Sequence, residues 1–542
     1  MVQVNLFVAI AIGAIVLFIY HRIAKKYLYF LPMAIPCLKP TFLLGSSGPM
    51  MFRKRNVTSH MKALYTAFPG AKIIGLYDLL TPMFLARDPE IIKRISITDF
   101  DHFTDHTPSM SNASVDEEIG GENLFGNSLF ALRGQKWKDM RSTLSPAFTG
   151  SKIRHMFELV SDCCRATNSF LLAEANAGKS LELEMKDMFA KFCNDVIARV
   201  AFGVRVDSMR DPDNEFYQKG KQMLNFQSVW LIIKLLFIKL FPNLSEKLKF
   251  GFIDRDVENY FKKMIVDNMR QRKTHGIVHN DMIQILLEVQ NGTLRHSKVE
   301  QEFKDTAFAT VQDSNVGRGE HSRVWTDTEL IAQCFVFFFA GFDTVSTSAA
   351  FLTYELTINP DIQNRLYEEI LQTEQQLSGA PLSYEVLQRM EYMDMVVSEV
   401  LRKWPPAVVT ERYCVKDYLC DNGAGARFLI EKGQTVLLPT IAMQNDPKYF
   451  PNPDRFDPER FSQTNRTQIN AGAYAPFGLG PRNCIGSRLA LMEIKLIVYY
   501  LLQRFSFEPT EKTQVPLQIA KNLFTLEAEK GIWVELKARK LE

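Results

Sequence analysis

A mainly α-helical fold with a small β region at its side is what the 542-residue sequence predicts, and three observations lead there. From about residue 50 onward most stretches carry the apolar spacing of helices. Only three runs read as strands, AKIIGLY, TPMFLAR and RFLIEKGQTVLLPT, too few for a sheet that organises the whole chain. No internal repeat and no low-complexity linker divides the body, so a single large domain with a deep interior is the economical reading.

Composition narrows the function classes. Apolar residues make up 46% and charged residues 23%, which is ordinary globular usage. With 64 basic against 61 acidic side chains the net charge is +3, and basic runs interleaved with aromatics are absent, so nucleic acid is a poor partner. Eight cysteines (Cys37, Cys163, Cys164, Cys193, Cys334, Cys414, Cys420 and Cys484) lie scattered without CxxC spacing. That pattern suits neither a disulfide framework nor a zinc ribbon and fits a reducing compartment.

The first element is VQVNLFVAIAIGAIVLFIYHRIAKK, with an apolar run from Leu6 to Tyr20 that is roughly long enough to span a bilayer with its flanks. Arg22, Lys25 and Lys26 follow the run and no basic residue precedes it, which argues against a removed signal peptide and for a signal anchor over residues 1–26. The body would then face the cytosol. Residues 27–45 follow as a hinge, because Pro32, Pro36 and Pro40 favour an extended, stiff chain. Residues 46–542 form the domain. In this orientation the sequons at Asn56, Asn112 and Asn291 never meet the lumen. A second apolar stretch, VWLIIKLLFIKLFPNL from Val229 to Leu244, is too short and too charged to span; interfacial contact and a buried helix both remain open.

The stretch WTDTELIAQCFVFFFAGFDTVSTSAAFLTYELTINP opens on a capping box, Thr326 and Glu329, and stops at Pro360, which predicts one buried helix of some thirty residues. In its middle Ala340 and Gly341 thin one surface, and Asp343 and Thr344 follow. A glycine inside a helix and a buried carboxylate are two local costs. Two readings stand: a gap for a flat ligand beside a proton-relaying acid and alcohol, or a helix crossing beside a satisfied core carboxylate. In SEVLRKWPP, Glu399 and Arg402 share one helix face and suit a buried ion pair. Trp137 and Arg141 in WKDMR lie one helical turn apart, where both could grip one anionic ligand, although an ordinary surface helix is the preferred reading of these residues alone.

The stretch YAPFGLGPRNCIG, Tyr474 to Gly486, places one cysteine among three glycines before a strong helical pattern. No protease signature surrounds Cys484, the glycines miss the dinucleotide spacing, and zinc would need further ligands nearby. A lone thiolate at a helix start remains, favoured by the amide dipoles and by Arg482.

These residues resemble a family, the cytochromes P-450. Phe477, Gly478, Gly480, Arg482, Cys484 and Gly486 fit its haem-binding pattern F-x-x-G-x-R-x-C-x-G. Ala340 to Thr344 resembles its oxygen-binding helix motif, Glu399 and Arg402 its E-x-x-R pair, Pro458 to Phe461 the segment that locks that pair, and Trp137 with Arg141 its W-x-x-x-R. All occur in family order. The resemblance implies haem b with Cys484 as iron ligand, Trp137, Arg141, Arg412 and Arg482 on the propionates, and Ala340, Gly341, Phe477 and Gly486 bordering the ring. His106 falls where some relatives use arginine. Asp343 and Thr344 would deliver protons; Val345 departs from the hydroxyl residue common in the family, and Ser346 follows it.

Finer likeness, in FFFAGFDTVST and PFGLGPRNCIGSRLALMEIK, is to insect microsomal members that metabolise xenobiotics. It implies oxygen insertion into lipophilic substrates with O2 and NADPH, using NADPH–cytochrome P-450 reductase, with cytochrome b5 as a second donor, at the cytosolic face of the endoplasmic reticulum membrane. Substrate walls would come from Asn123 to Phe130, residues 223–244, Phe338, Phe339, Ala407 to Thr410, and Leu523 and Phe524. Endogenous hormone, fatty-acid or pheromone oxidation is the competing monooxygenase role. A haem-thiolate isomerase, or a non-catalytic haem protein, would need no proton relay at Asp343 and Thr344.

Overall fold

The computed structural model describes residues 13–14, 17–18, 20–33, 35–108, 124–223, 229–241, 244–245, 248, 253–279, 281–291, 308–309, 323–421, 427–523 and 525–540. Most of the expected anchor, the Asn112 sequon, Asn123 and Phe524 lie outside them. In chain order the elements that frame the site are α1 (Val57–Thr66), β1 (Ile73–Asp78), β2 (Thr81–Ala86), α2 (Gly134–Leu144), α3 (Gly150–Asn176), β3 (Glu182–Glu184), α4 (Met185–Phe202), α5 (Glu215–Met223), α6 (Val229–Leu240), α7 (Arg255–His275), α8 (Met282–Gln290) and α9 (Asp327–Ile358). They continue with α10 (Pro360–Leu377), α11 (Glu391–Lys403), β4 (Thr410–Tyr413), β5 (Tyr418–Asp421), β6 (Arg427–Ile430), β7 (Thr435–Leu438), α12 (Ser487–Arg504), β8 (Phe505–Pro509) and β9 (Trp533–Ala538). The fold is mainly helical with small sheets at its side, as the sequence predicts.

The central element is α9, 32 residues long. Its capping box forms as expected: the Thr326 hydroxyl accepts the Glu329 amide, and the Glu329 carboxylate accepts the Thr326 amide at 2.8 Å. The helix is apolar all round and packs most extensively along α4, with α12, α11 and α7 on its other sides. Its buried hydroxyls would be costly if left unpaired, and they bond back to their own helix: Ser348 to the Thr344 carbonyl, Thr353 to Ala349, Thr357 to Thr353. Among the described residues α9 is also the one helix long and apolar enough to cross a membrane, but 67% of that window is buried inside the protein, which makes it a core helix.

The sheets are peripheral. β1 and β2 form an antiparallel hairpin, β2 runs parallel to β7, and β4 completes the order β1-β2-β7-β4 with Arg412 opposite Val436. The long run at 427–440 is two strands, because Gly433 takes a φ of +98° in the turn between β6 and β7. β3, β9 and β8 form a second sheet that the periodicity did not predict. The proline-spaced segment is fastened to the hairpin. Phe30 is buried against Tyr77 and Phe84, with ring centroids at 5.3 and 5.4 Å, and the Gly75 amide donates to the Pro36 carbonyl at 2.9 Å. On α6, Trp230 and Ile233 face outward, Ile238 is buried, and both lysines are paired: Lys234 with Asp254 at 2.9 Å and Lys239 with Asp78.

The expected pair on α11 is a fully buried network. Arg402 grips both Glu399 oxygens, Nε to Oε2 at 2.7 Å and Nη2 to Oε1 at 3.0 Å, and donates to the carbonyls of Gln444 and Pro453. The Asp457 amide donates to Glu399 at 2.9 Å, and Arg460 approaches the same carboxylate at 3.4 Å, so residues 444–460 are tied to α11.

Candidate active site

Cys484 ends a tight loop just before α12. Its amide donates to the Phe477 carbonyl at 2.9 Å, and the Asn483 amide to the Gly480 carbonyl at 3.0 Å. The loop needs glycine at 480 for two reasons: φ is +70°, and a Cβ there would lie 1.8 Å from the Ser96 carbonyl oxygen. That missing side chain makes room for another backbone segment. At Gly486, by contrast, the nearest atom to such a Cβ is Phe148 Cε1 at 3.8 Å, so this glycine leaves the cavity side open.

The Cys484 thiol opens on an interior cavity of about 350 Å³. It is exposed to that cavity but far from bulk water, and burial raises its pKa; the Gly486 amide and the Arg141 charge act in the opposite direction. The cation that favours its thiolate is therefore Arg141, where the sequence suggested Arg482.

One rim of the cavity is basic. Arg141 donates to Asn483, to the carbonyl at 2.9 Å and to Oδ1 at 2.7 Å. Arg482 lies 3.9 Å over the Trp137 ring and donates to the carbonyls of Thr104 and Leu132, both at 2.7 Å. Arg412 donates to the Glu411 and Leu479 carbonyls, while its Nε finds no protein partner. Burial drives Arg412 down to about 10 and Arg482 to about 9, against the opposing pull of Glu411 and Asp105. His106 stacks on Phe130 with centroids at 4.5 Å and holds Glu411 through Nδ1 at 3.0 Å; burial lowers its pKa. Three buried guanidiniums with two carboxylates near them leave the rim short of negative charge, and the orphaned Arg412 Nε is a donor awaiting an anion.

The wall opposite the Cys loop is α9, through Val336, Phe337, Ala340, Gly341, Thr344 and Val345. A Cβ on Gly341 would sit 2.7 Å from Ile197 Cδ1 on α4, so the glycine serves the helix crossing even as its backbone borders the cavity. Thr344 bonds back to the Ala340 carbonyl at 2.8 Å. Asp343 is not in the wall. It faces α4, where Lys186 Nζ donates to its carboxylate at 2.7 Å, and the same ammonium reaches Ser346 and Thr347, each at 2.7 Å. The structure thus separates the expected acid and alcohol onto two faces of α9.

The expected substrate walls divide in the same way. Phe130, Ala407 and Thr410 line the cavity. Phe338 does not: it is fully buried in an aromatic cluster with Phe216 and Phe261, and Phe337 takes the wall position. Phe339 packs edge-on to Phe125 at 5.8 Å. No described residue of 223–244 borders the cavity, and Leu523 does not either; Phe148, Met156, Ile197 and Glu493 do, from helices whose sequence gives no sign of it. Glu399 and Arg402 stand apart from the cavity as a structural network.

The family model described as Cytochrome P-450 matches residues 36–534.

The chain is a cytochrome P-450.

This P-450 is 42% identical over 511 residues to the Drosophila melanogaster protein named "Probable cytochrome P-450 9f2", covering 94% of this chain and 95% of that one. It is 40% identical over 542 residues to cytochrome P-450 9e2 of Blattella germanica, with 98% and 97% covered, and 33% identical to cytochrome P-450 3A2 of Rattus norvegicus, with 98% and 96% covered. As a member of this family it is a monooxygenase whose cofactor is haem held by a cysteine thiolate. The cavity fits that group. A thiol opens onto it, the basic rim is short of negative charge, Arg412 Nε is unpaired, and Gly486 presents no side chain.

Proposed function

We propose that Cys484 would supply the thiolate that holds haem and that this P-450 inserts one oxygen atom into lipophilic foreign compounds. The observation that carries the proposal is the meeting, in one apolar cavity, of the Cys484 thiol, the rim of Arg141, Arg412 and Arg482, and Thr344 on the facing helix. Haem-thiolate supplies the activation of O2: RH, O2, NADPH and one proton become ROH, water and NADP⁺. The chain's residues supply everything around it. Arg412, with Arg141, Arg482 and Trp137, would hold the propionate side, and the missing side chain of Gly486 would leave the ring its room. Ala340, Gly341 and Phe477 border the ring. Thr344 holds a proton donor at the cavity face, and Asp343 reaches that face only by leaving Lys186.

The walls are apolar, with Phe130, Phe337, Val336 and Ala407, which admits hydrocarbon surface and excludes water. The likeness to insect P-450 proteins favours xenobiotic substrates, with NADPH–cytochrome P-450 reductase as electron donor. The apolar run from Leu6 to Tyr20 with its basic flank would hold the body at the cytosolic face of the endoplasmic reticulum membrane.

The test is reconstitution with reductase, NADPH and a panel of insecticides and plant terpenoids. We expect product formation that tracks NADPH oxidation in the wild type. In Thr344→Ala, NADPH oxidation should persist while product falls about tenfold and hydrogen peroxide rises correspondingly. Wild-type haem protein that never consumes NADPH with any panel member would overturn the proposal.

A further inference from the structure

Gln333 on α9 reaches sideways, to the backbone of the segment that forms one cavity wall. It lies about two turns before Gly341 and is fully buried. Its side-chain oxygen accepts the Leu129 amide at 2.8 Å, and its side-chain nitrogen donates to the Asn127 carbonyl at 2.8 Å and to the Glu329 carbonyl at 2.7 Å. A primary amide carries an acceptor oxygen and two N–H donors, so one side chain makes all three bonds.

The segment 124–132 is irregular and mostly buried, so its backbone groups cannot rely on water or on a strand partner. A few are satisfied within the turn, such as the Leu132 amide on the Ser128 carbonyl at 2.9 Å. Gln333 takes the middle of the segment. Arg482 takes its far end, with the Leu132 carbonyl at 2.7 Å and weaker approaches to Leu129 and Phe130 at 3.4 and 3.5 Å. Leu129 and Phe130, which line the cavity, are therefore held between two side chains from separate elements. Phe130 is fixed further by stacking on His106.

We infer that Gln333 is a positioning residue for this wall: it fixes Leu129 and Phe130 and thereby sets the bulk and orientation of the molecule that the cavity accepts. The inference rests on the reading of the cavity as the haem and substrate site. Replacing Gln333 with an apolar side chain strands a buried donor and a buried acceptor of the segment, which then moves to find partners. Gln333 itself makes no hydrogen bond to the Cys loop among the described residues, and the loop meets the segment through Arg482, so a disturbance of the thiol side would show in the imidazole titration.

The experiment uses the full-length haem-loaded protein and its Gln333→Met and Gln333→Asn variants, the second keeping the amide but drawing it back by one methylene. Optical titration with imidazole and with 1-phenylimidazole separates access to the iron from contact with the wall. We expect the Kd ratio of the two ligands to shift about tenfold in Gln333→Met, with imidazole alone changing less than about twofold. Amide exchange in 124–132 should accelerate about tenfold or more while the second half of α9 stays protected. An unchanged ratio with unchanged exchange overturns the inference, as does a uniform change in both ligands with exchange rising everywhere, which is plain destabilisation. If Gln333→Met does not fold, Gln333→Asn decides by the same two readouts. A wild type that lacks a thiolate-type carbon monoxide band would sink the haem reading alone, since the exchange measurement still tests the clamp.

Discussion

Among the described residues, Glu493 is a buried carboxyl with no ion-pair partner. It borders the cavity from α12, Oε2 has no protein partner, and the thiols of Cys163 and Cys164 on α3 and Cys193 on α4 are near it. Burial alone pushes its pKa from 4.5 up to about 8, so it is a neutral acid at physiological pH. Because the folded value lies above the unfolded one, the stabilisation it gives is complete below about pH 4.5 and is lost as pH rises through about 8. Glu493→Gln should therefore flatten the pH dependence of the melting temperature between pH 5 and 9, most visibly at the alkaline end, in scans run about half a pH unit apart. Parallel curves for the two proteins would contradict it. At the same scale, the neighbours Asp343 and Thr344 show what a linear motif conceals. Consecutive helical residues point about 100° apart, so one meets the cavity and the other Lys186. The sequence names the pair; the packing of α4 decides which of them faces the chemistry.

Among the elements, α11 is held by charge. Glu399 and Arg402 are both inaccessible to solvent, and among the described residues the hydrogen-bond acceptors of Arg402 other than Glu399 are carbonyls of the 444–455 segment. Arg402→Leu leaves Glu399 buried with Arg460 as its remaining cation, and it should cost about 3–5 kcal/mol in chemical denaturation. Arg402→Lys should rescue little, since one ammonium cannot span two carboxylate oxygens and two carbonyls. The E-x-x-R spacing made the pair legible, because residues three apart share a helix face. Its carbonyl partners were not, since they come from a loop some forty residues on with no periodicity to read. Gln333 was hidden for a related reason: a single polar residue in an apolar helix looks like an interruption until the backbone it serves is in view. Phe337 and Phe338 differ by one position, and only the aromatic cluster with Phe216 and Phe261 shows which turns inward.

Over the whole molecule, helical periodicity and the scarcity of strand-like runs were enough to give the class, and five motif stretches in order were enough to give the family. The strands β8 and β9 escaped because their apolar alternation is short and β9 pairs on one side with β8 and on the other with β3, far back in the chain. The cavity was legible only in part. Local spacing singled out Cys484, Trp137, Arg141 and Thr344 only as candidates with competing readings, whereas Arg412, which carries no spacing signal of its own, came only from the family likeness. Met156, Ile197 and Glu493 needed the three-dimensional meeting of α3, α4 and α12. The central claim is that Cys484 is the thiolate ligand of haem iron, and the carbon monoxide difference spectrum of the dithionite-reduced, haem-loaded protein tests it most directly. A red-shifted thiolate-type Soret band in the wild type, abolished in Cys484→Ala, is the predicted result; the same band surviving in Cys484→Ala, or a wild type that binds haem yet shows only the unshifted band, would contradict the account.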